Sequence, residues 1–151
     1  MSYHPTELGE YSVSIYAEDS FESKGPTYTK TFLVISHPTA EITNSPGRYV
    51  SEGSYLFDCQ TDVYGTVEAY EWNSSIDGVF GTEKAFFSSL SNGTHNITFT
   101  ATDQYDFSDN TSISIMINGR PIVSITDYPD WEVQEGETVS LDGSASDDND
   151  D

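Results

Sequence analysis

The chain contains an internal repeat, and this repeat constrains the fold more than any other feature of the sequence. The segment GEYSVSIYAED at residues 9–19 returns as GTHNITFTATD at 93–103, an offset of 84 residues. Further along, PTAEITNSP at 38–46 matches PIVSITDYP at 121–129 with an offset of 83 residues. Self-similarity at a fixed period is typical of arrays of similar modules. We therefore expect tandem modules rather than one continuous domain.

The two matches divide the chain into three parts. We expect residues 1–37 to form the C-terminal half of one repeat, 38–118 a complete repeat, and 119–151 the N-terminal half of the next. On this interpretation the chain is a segment of a longer protein. Three alternatives stay open for the half-repeats: they are ordered only in the longer protein, they are partly disordered, or the back half of one copy completes the front half of another. The last alternative would produce head-to-tail assembly by strand addition.

Period-2 alternation of apolar and polar residues predicts β-structure throughout the complete repeat. In 95–101, the odd-numbered residues His95, Ile97, Phe99 and Ala101 share one face, and polar residues share the other. The predicted strands are residues 38–44, 49–50, 55–59, 67–72, 84–90, 95–101 and 111–117. About seven short strands separated by turn signals indicate an all-β antiparallel sandwich or barrel.

The chain is strongly acidic, with a formal net charge of −21 and only five Lys and Arg residues. A surface of this sign repels nucleic acid and anionic membranes. No stretch approaches the ~20 apolar residues of a membrane span, so we expect no membrane insertion in this segment. Two interpretations of the acidity stay open: a solvated acidic surface, or loops that bind divalent cations.

Several motifs together resemble the PKD (polycystic kidney disease) repeats, which are immunoglobulin-like. The chain has AYEWNSSIDG at 69–78, NGTHNITFTATD at 92–103 and EGETVSLDGSASDDNDD at 135–151. Cys59 and Trp72 are 13 residues apart, near the spacing of the first core Cys and the core Trp of immunoglobulin domains. The resemblance is to arrays in secreted microbial and archaeal surface proteins. It implies an immunoglobulin-like β-sandwich that is extracellular and non-catalytic.

The resemblance also implies a set of core residues. Trp72 corresponds to the core Trp of immunoglobulin domains, and the partner position for a disulfide falls near Ile97 or Phe99, so none forms. Cys59 is then a small buried apolar residue. The predicted core residues are Cys59, Trp72, Ile97 and Phe99.

The sequence carries no recognisable catalytic motif. His4, His37 and His95 are far apart, and no nucleophile elbow, phosphate loop, zinc-binding helix or paired-cysteine motif occurs. His95 shares a strand face with Ile97, so we interpret it as a structural residue. We therefore do not expect an enzyme.

Acidic loops are candidate calcium sites, because hard cations take six to eight oxygen ligands. One candidate set is Asp142, Asp147, Asp148 and Asp150. The second is Glu52, Asp103, Asp106 and Asp109, which we expect to meet near a junction between modules if the strand ends converge. A solvated acidic turn is the alternative for both sets. If calcium binds, it stiffens the array by neutralising carboxylates that repel each other.

Two further features concern the surface. Four asparagines lie in N-x-S/T sequons and are predicted glycosylation sites: Asn73, Asn92, Asn96 and Asn110. Trp131 follows Pro129-Asp130, and it either packs at a junction between modules or forms an exposed platform for a sugar or protein.

Two functional hypotheses follow. The first is a structural or adhesive segment of a long extracellular stalk, surface layer or fibre, whose partners are neighbouring repeats or other copies of itself. The second is an accessory module of a secreted hydrolase that binds a polysaccharide or protein. An adhesion module that requires calcium is a variant of the first hypothesis.

Overall fold

The computed structural model describes residues 3–125, 132–144 and 146, and within these residues the regular structure is entirely β. The strands are β1 (Gly9–Ile15), β2 (Tyr28–Val34), β3 (Glu41–Asn44), β4 (Tyr49–Ser51), β5 (Tyr55–Gln60), β6 (Val67–Ser74), β7 (Gly78–Gly81), β8 (Ala85–Ser88), β9 (Gly93–Asp103) and β10 (Ser108–Asn118). The described part thus has the all-β character that the alternation predicted.

The eight strands from β3 to β10 form two sheets. The larger sheet has the order β4-β10-β9-β6-β7, and the smaller has the order β3-β5-β8. All neighbours pair antiparallel except β4, which runs parallel to β10. This is the predicted immunoglobulin-like antiparallel sandwich. The hairpin of β1 and β2 forms a separate two-stranded sheet.

The core lies between the two sheets of the sandwich. The smaller sheet contributes Phe57 and Cys59 from β5, and the larger sheet contributes Trp72 from β6 together with alternate residues of β9 and β10. The buried apolar residues are Phe57, Cys59, Trp72, Ile97, Phe99, Ala101, Ile115 and Ile117. The core assignments made from the sequence and the family resemblance therefore all fall inside the sandwich. Full burial of each large apolar side chain is worth about 1.5–3 kcal/mol.

Strand β7 is a correction to the sequence analysis, because it is absent from the seven predicted strands. β7 pairs with β6, with an irregularity in register between Trp72 and Asn73. Its four residues, GVFG, are too few to produce a recognisable alternation. Gly81 is required by close contact, because a Cβ at this position would collide with the ring of Phe86.

Candidate functional site

The chain enters and leaves the sandwich at opposite ends of the long strands. Glu41, at the start of β3, pairs with Gln60, and the Ala40 N–H donates to Asp109 Oδ2 at 3.0 Å near the start of β10. We call this end the N-terminal pole. Asn118, at the end of β10, pairs with Ser51 of β4 at the other end, which we call the C-terminal pole. Because β9 and β10 each have 11 residues, the poles are separated by about 36 Å.

The segment that leads into β3 is fastened to the N-terminal pole. The rings of His37 and Phe107 lie 4.6 Å apart, and Pro38 is buried. The Thr39 N–H donates to the Asp62 carbonyl at 2.9 Å, and the Asp62 N–H donates to Thr39 Oγ1 at 2.9 Å. These contacts hold the segment in one position relative to the sandwich.

Asp103 closes the turn between β9 and β10 at the N-terminal pole. Its side chain is fully buried, and Oδ1 accepts the N–H groups of Tyr105 at 2.8 Å and Phe107 at 3.0 Å. Aspartate is favoured in turns because its side chain can bond its own backbone a few residues on. Asp103 Oδ2 is buried without a hydrogen-bond partner among the described residues.

The second predicted calcium set does not form one cluster, which corrects the expectation from sequence. Glu52 lies at the C-terminal pole, where its carboxylate accepts the Asn92 side-chain N–H at 3.0 Å. Asp103, Asp106 and Asp109 lie at the other pole, a strand length away. Sequence reasoning placed all four at strand ends but could not tell which end. Within the described ranges, no group of three or more His, Cys, Asp or Glu side chains is arranged to hold a metal ion.

The first predicted calcium set falls mainly outside the described residues. Asp147, Asp148 and Asp150 are not described, and Asp142 is exposed. The Ser144 N–H donates to Asp142 Oδ1 at 2.8 Å, and hydrogen bonds from the Ser144 backbone and side chain hold the pKa of Asp142 below its ordinary value. The prediction of calcium at this loop stays a prediction.

A buried polar group connects β6 and β9 near the C-terminal pole. Ser74 Oγ lies 2.7 Å from His95 Nδ1, and His95 Nε2 lies 2.8 Å from the Ser91 carbonyl. Ser74 Oγ already accepts the N–H groups of Ile76 and Asp77. Both acceptor positions of this hydroxyl are thus occupied, so its own proton is directed at Nδ1.

This Ser-His-Asp group lacks the arrangement of a catalytic triad. Asp77 Oδ2 lies 3.9 Å from His95 Nδ1, the nitrogen that the serine also contacts, whereas a triad places the two groups on different nitrogens. Nε2, the other nitrogen, faces a backbone carbonyl. Ser74 is 2% exposed, so its hydroxyl is inaccessible to a substrate. Burial raises the pKa of Asp77, but hydrogen bonds from Ser91 and the nearby imidazole outweigh it and hold this pKa below its ordinary value.

The thiol of Cys59 is also unsuited to nucleophilic chemistry. Burial, together with the neighbouring Asp58 carboxylate, raises the pKa of Cys59 to about 11. The thiol lies 3.3 Å from the Lys84 carbonyl, to which it donates. Because the thiolate is the nucleophilic form, this cysteine is inert near neutral pH.

Three of the four sequon asparagines share the outer face of the larger sheet. Asn73 lies opposite Thr98 and Asn110 lies opposite Thr100, while Asn96 is two residues from Thr98 on the same face of β9. Asn73 and Asn96 are thus diagonal cross-strand neighbours, whose separation is about 7–8 Å. Sequence spacing did not reveal this clustering, because it depends on strand register. Asn92 lies instead at the C-terminal pole, and glycosylation at all four positions stays a prediction.

The same outer face contains an open groove of about 450 Å³ next to the N-terminal pole. Its lining includes Glu68 and Glu71 of β6 and Thr100 and Thr102 of β9. The groove thus combines carboxylates with hydroxyl groups. Trp131, the other candidate for ligand binding, lies outside the described residues, so its role stays a prediction.

Comparisons with known proteins support the fold but not a particular family. No family model matches the chain, and no match is found among curated proteins. Among solved structures, the chain is similar to the fibronectin(III)-like modules of Clostridium thermocellum CbhA, with 17% sequence identity and a TM-score of 0.50. The match covers 74% of this chain and 64% of that chain, which is less than two thirds of its length.

This likeness confirms the all-β, immunoglobulin-like sandwich predicted from the sequence. The narrower assignment to PKD repeats is not confirmed, because no family model matches. In the part of the chain that is described, no helix has the length and apolar character needed to cross a membrane.

Proposed function

We propose that the chain is a segment of an extracellular, non-catalytic array of PKD-like modules that acts as a stalk, surface-layer element or fibre. The position of the two poles carries this proposal. A module whose chain enters and leaves at opposite ends adds its full strand length to an array. Neighbouring repeats are then the first partners of each module.

The fastened segment before β3 supports a semi-rigid array. The contact between His37 and Phe107, the paired Thr39 and Asp62 bonds, and the bond from Ala40 to Asp109 limit rotation where the chain enters the sandwich. Short, bonded connections restrict the relative motion of neighbouring modules, whereas flexible linkers do not. A structural role benefits from this restriction because the array then keeps its reach.

Small-angle X-ray scattering of polypeptides with one, two and three copies of residues 35–118 tests the proposal. We expect the maximum dimension to increase by roughly 36 Å per added copy, the length of an 11-residue strand. A matched control replaces His37 with Ala and Thr39 with Val, which removes linker contacts and should broaden the distance distribution. Compact side-by-side association, with little increase in length, would contradict the proposal.

The groove on the outer face favours a second candidate function, an accessory module that binds a polysaccharide or protein. Carboxylates and hydroxyl groups of this kind can bond sugar hydroxyls. Sedimentation with insoluble polysaccharides tests this function, using Glu71→Lys and Thr100→Lys against a Lys substitution at Ser114, outside the groove. If only the two groove variants fail to sediment with the polysaccharide, the binding function is favoured over the structural one.

A further inference from the structure

The hairpin of β1 and β2 has the same pairing as the hairpin of β9 and β10. Gly9 lies opposite Val34, and Gly93, 84 residues further on, lies opposite Ile117. Each later pair in β1–β2 has a counterpart in β9–β10, so corresponding residues point to corresponding faces. The sequence match at this offset is therefore accompanied by the same strand register.

The turns that close the two hairpins are also the same. Asp19 Oδ1 accepts the N–H groups two and four residues further on, at 2.9 and 3.0 Å. Asp103 Oδ1 makes the same two bonds at 2.8 and 3.0 Å. Glu22 and Asp106 occupy equivalent positions, and both have left-handed backbone, with φ of 63° and 64°. The first hairpin is thus a structural copy of the last hairpin of the sandwich.

The two copies differ in what covers their apolar face. Ile97 and Phe99 of β9 are 0% exposed, whereas their counterparts Val13 and Ile15 of β1 are 50% and 65% exposed. The other side of the first hairpin is mostly polar, with a bond between Ser14 and Thr29 at 2.7 Å. We call the side formed by Tyr11, Val13, Ile15, Tyr28, Lys30 and Phe32 the bare face. It is apolar except for Lys30, which lies opposite Val13 where the sandwich has Ile113.

A two-stranded hairpin with an uncovered apolar face is marginally stable in water. Stability requires a hydrophobic partner on that face that removes Val13 and Ile15 from water. The register indicates what such a partner must supply. In the sandwich, the equivalent face is covered by Phe57 and Cys59 of β5 and adjoins Trp72 of β6.

We propose that the bare face binds a half-sandwich of the kind formed by β3 to β8, supplied by the same polypeptide ahead of the hairpin. The hairpin would then be the closing hairpin of a module like the one that follows it. This inference rests on the proposed array, because it makes the hairpin part of the preceding module.

A second copy of the chain is a less suitable partner. Its segment 132–144 offers exposed Val139 and Leu141, which resemble the alternating apolar residues of β5. However, the β3–β8 half-sandwich of a second copy is already closed by its own β9 and β10. A second copy would therefore cover only part of the bare face.

A chimera tests the proposal directly. Residues 38–92 are fused ahead of residues 9–151, so that the known β3–β8 half-sandwich precedes the hairpin in one polypeptide. We expect hydrogen exchange of the β1 and β2 amides to slow by at least about a hundredfold relative to the natural chain, because they join a cooperative unit. The β9 and β10 amides provide the internal reference for a folded sandwich.

Two matched variants of the chimera identify the face. Ile15→Glu places a charge on the bare face and should abolish the protection of β1 and β2. Ser12→Glu places the same charge on the opposite side and should leave it intact. Loss of protection in both, or in neither, would overturn the assignment of the face.

Two results would overturn the proposal itself. In the first, the β1 and β2 amides of the chimera exchange hydrogen as fast as those of the natural chain, while the β9 and β10 amides stay protected. The other is a dimer of the natural chain in which the β1 and β2 amides are already protected and which Ile15→Glu dissociates. The partner of the bare face would then be a second copy. If the scattering test shows no increase in length but the hairpin is protected in the chimera, the extended array is rejected and the binding of the bare face to the half-sandwich is not.

Discussion

At the scale of single residues, Trp72 organises the aromatic part of the core. Its ring lies 4.7 Å from Phe99, 5.7 Å from Phe57 and 5.8 Å from Phe86. Its indole N–H donates to the Glu83 carbonyl at 3.1 Å, so the one polar atom of the side chain is satisfied. The family resemblance assigned Trp72 and Cys59 to the core, but the contacts of Trp72 with Phe57 and Phe86 depend on how the two sheets face each other and could not be predicted from spacing.

Cys59 makes stability depend on pH in the alkaline range. Its folded-state pKa of about 11 lies above the ordinary thiol value of 9.0, so the folded state holds the thiol proton more tightly than the unfolded state. The resulting stability is fully present below 9.0 and is lost as pH rises towards 11. We expect urea unfolding to show a steeper alkaline loss of free energy for the natural chain than for Cys59→Ala. Parallel pH profiles would contradict this prediction, since tyrosine titration is common to both.

Asp103 and Asp19 provide a matched pair for the energetics of one turn. We expect Asp103→Ala to lower the free energy of unfolding by about 2–4 kcal/mol, because two part-buried N–H groups lose the fully buried carboxylate that accepts them. Asp19→Ala removes the same bonds from an exposed turn, where water can replace them, and should cost less than about 0.5 kcal/mol. Urea titrations followed by tryptophan fluorescence measure the loss in the sandwich, and hydrogen exchange of the β1 and β2 amides measures the loss in the hairpin. Equal losses would contradict the argument from burial.

At the scale of secondary structure, every strand of the sandwich except β7 was predictable from the sequence. β9 alternates over residues 95–101, β10 has Ile113, Ile115 and Ile117 at alternate positions, and these residues identify the inner face without further information. β7 has only four residues, and its inclusion depends on pairing with β6. The pole at which each acidic loop lies depends on strand direction, so the position of Glu52 relative to Asp103 could not be derived from sequence.

Gly81 tests the contact between the two sheets at the end of β7. Gly81→Ala should lower the free energy of unfolding by about 1–3 kcal/mol, because its Cβ would collide with Phe86. Gly47→Ala is the control, since the nearest atom to its Cβ would be Val50 Cγ1 at 3.8 Å, an ordinary contact. Thermal or urea unfolding distinguishes them. If adding Phe86→Leu to Gly81→Ala restores the free energy of unfolding, the collision with the Phe86 ring caused the loss.

At the scale of the whole molecule, net charge rather than core packing determines how stability depends on the salt concentration. With 26 acidic and five basic side chains, the folded chain confines carboxylates that repel one another. The composition of the sequence is enough to predict this repulsion. It does not predict which carboxylates are bonded, as Asp103 and Asp109 are, and which are free for solvent ions.

Screening of this repulsion should stabilise the fold. We expect sodium chloride to raise the free energy of unfolding progressively, because the Debye length falls from about 10 Å at 0.1 M to about 3 Å at 1 M. Urea titrations at several salt concentrations measure the effect, and glucose at matched osmolality is the uncharged control. A free energy that does not change with salt would contradict the prediction.

Calcium binding at residues 142–151 is a separate prediction. We expect calcium to produce a titration heat in a sodium chloride background that suppresses general charge effects, because clustered carboxylates match its oxygen preference. Asp142→Asn should weaken this binding, and Asp62→Asn, at the N-terminal pole, should not. Identical titrations for the natural chain and Asp142→Asn would remove the calcium assignment from this loop.

The parallel pairing of β4 with β10 has a mechanical consequence. Force applied through the segment before β3 draws β4 towards one pole, and force applied beyond Asn118 draws β10 towards the other. Tension between the two poles therefore slides these two strands past each other. Their interstrand bonds, including that from Met116 N–H to the Arg48 carbonyl at 2.8 Å, must then break together rather than one after another. Such a module resists stretching along its length far better than peeling from one edge.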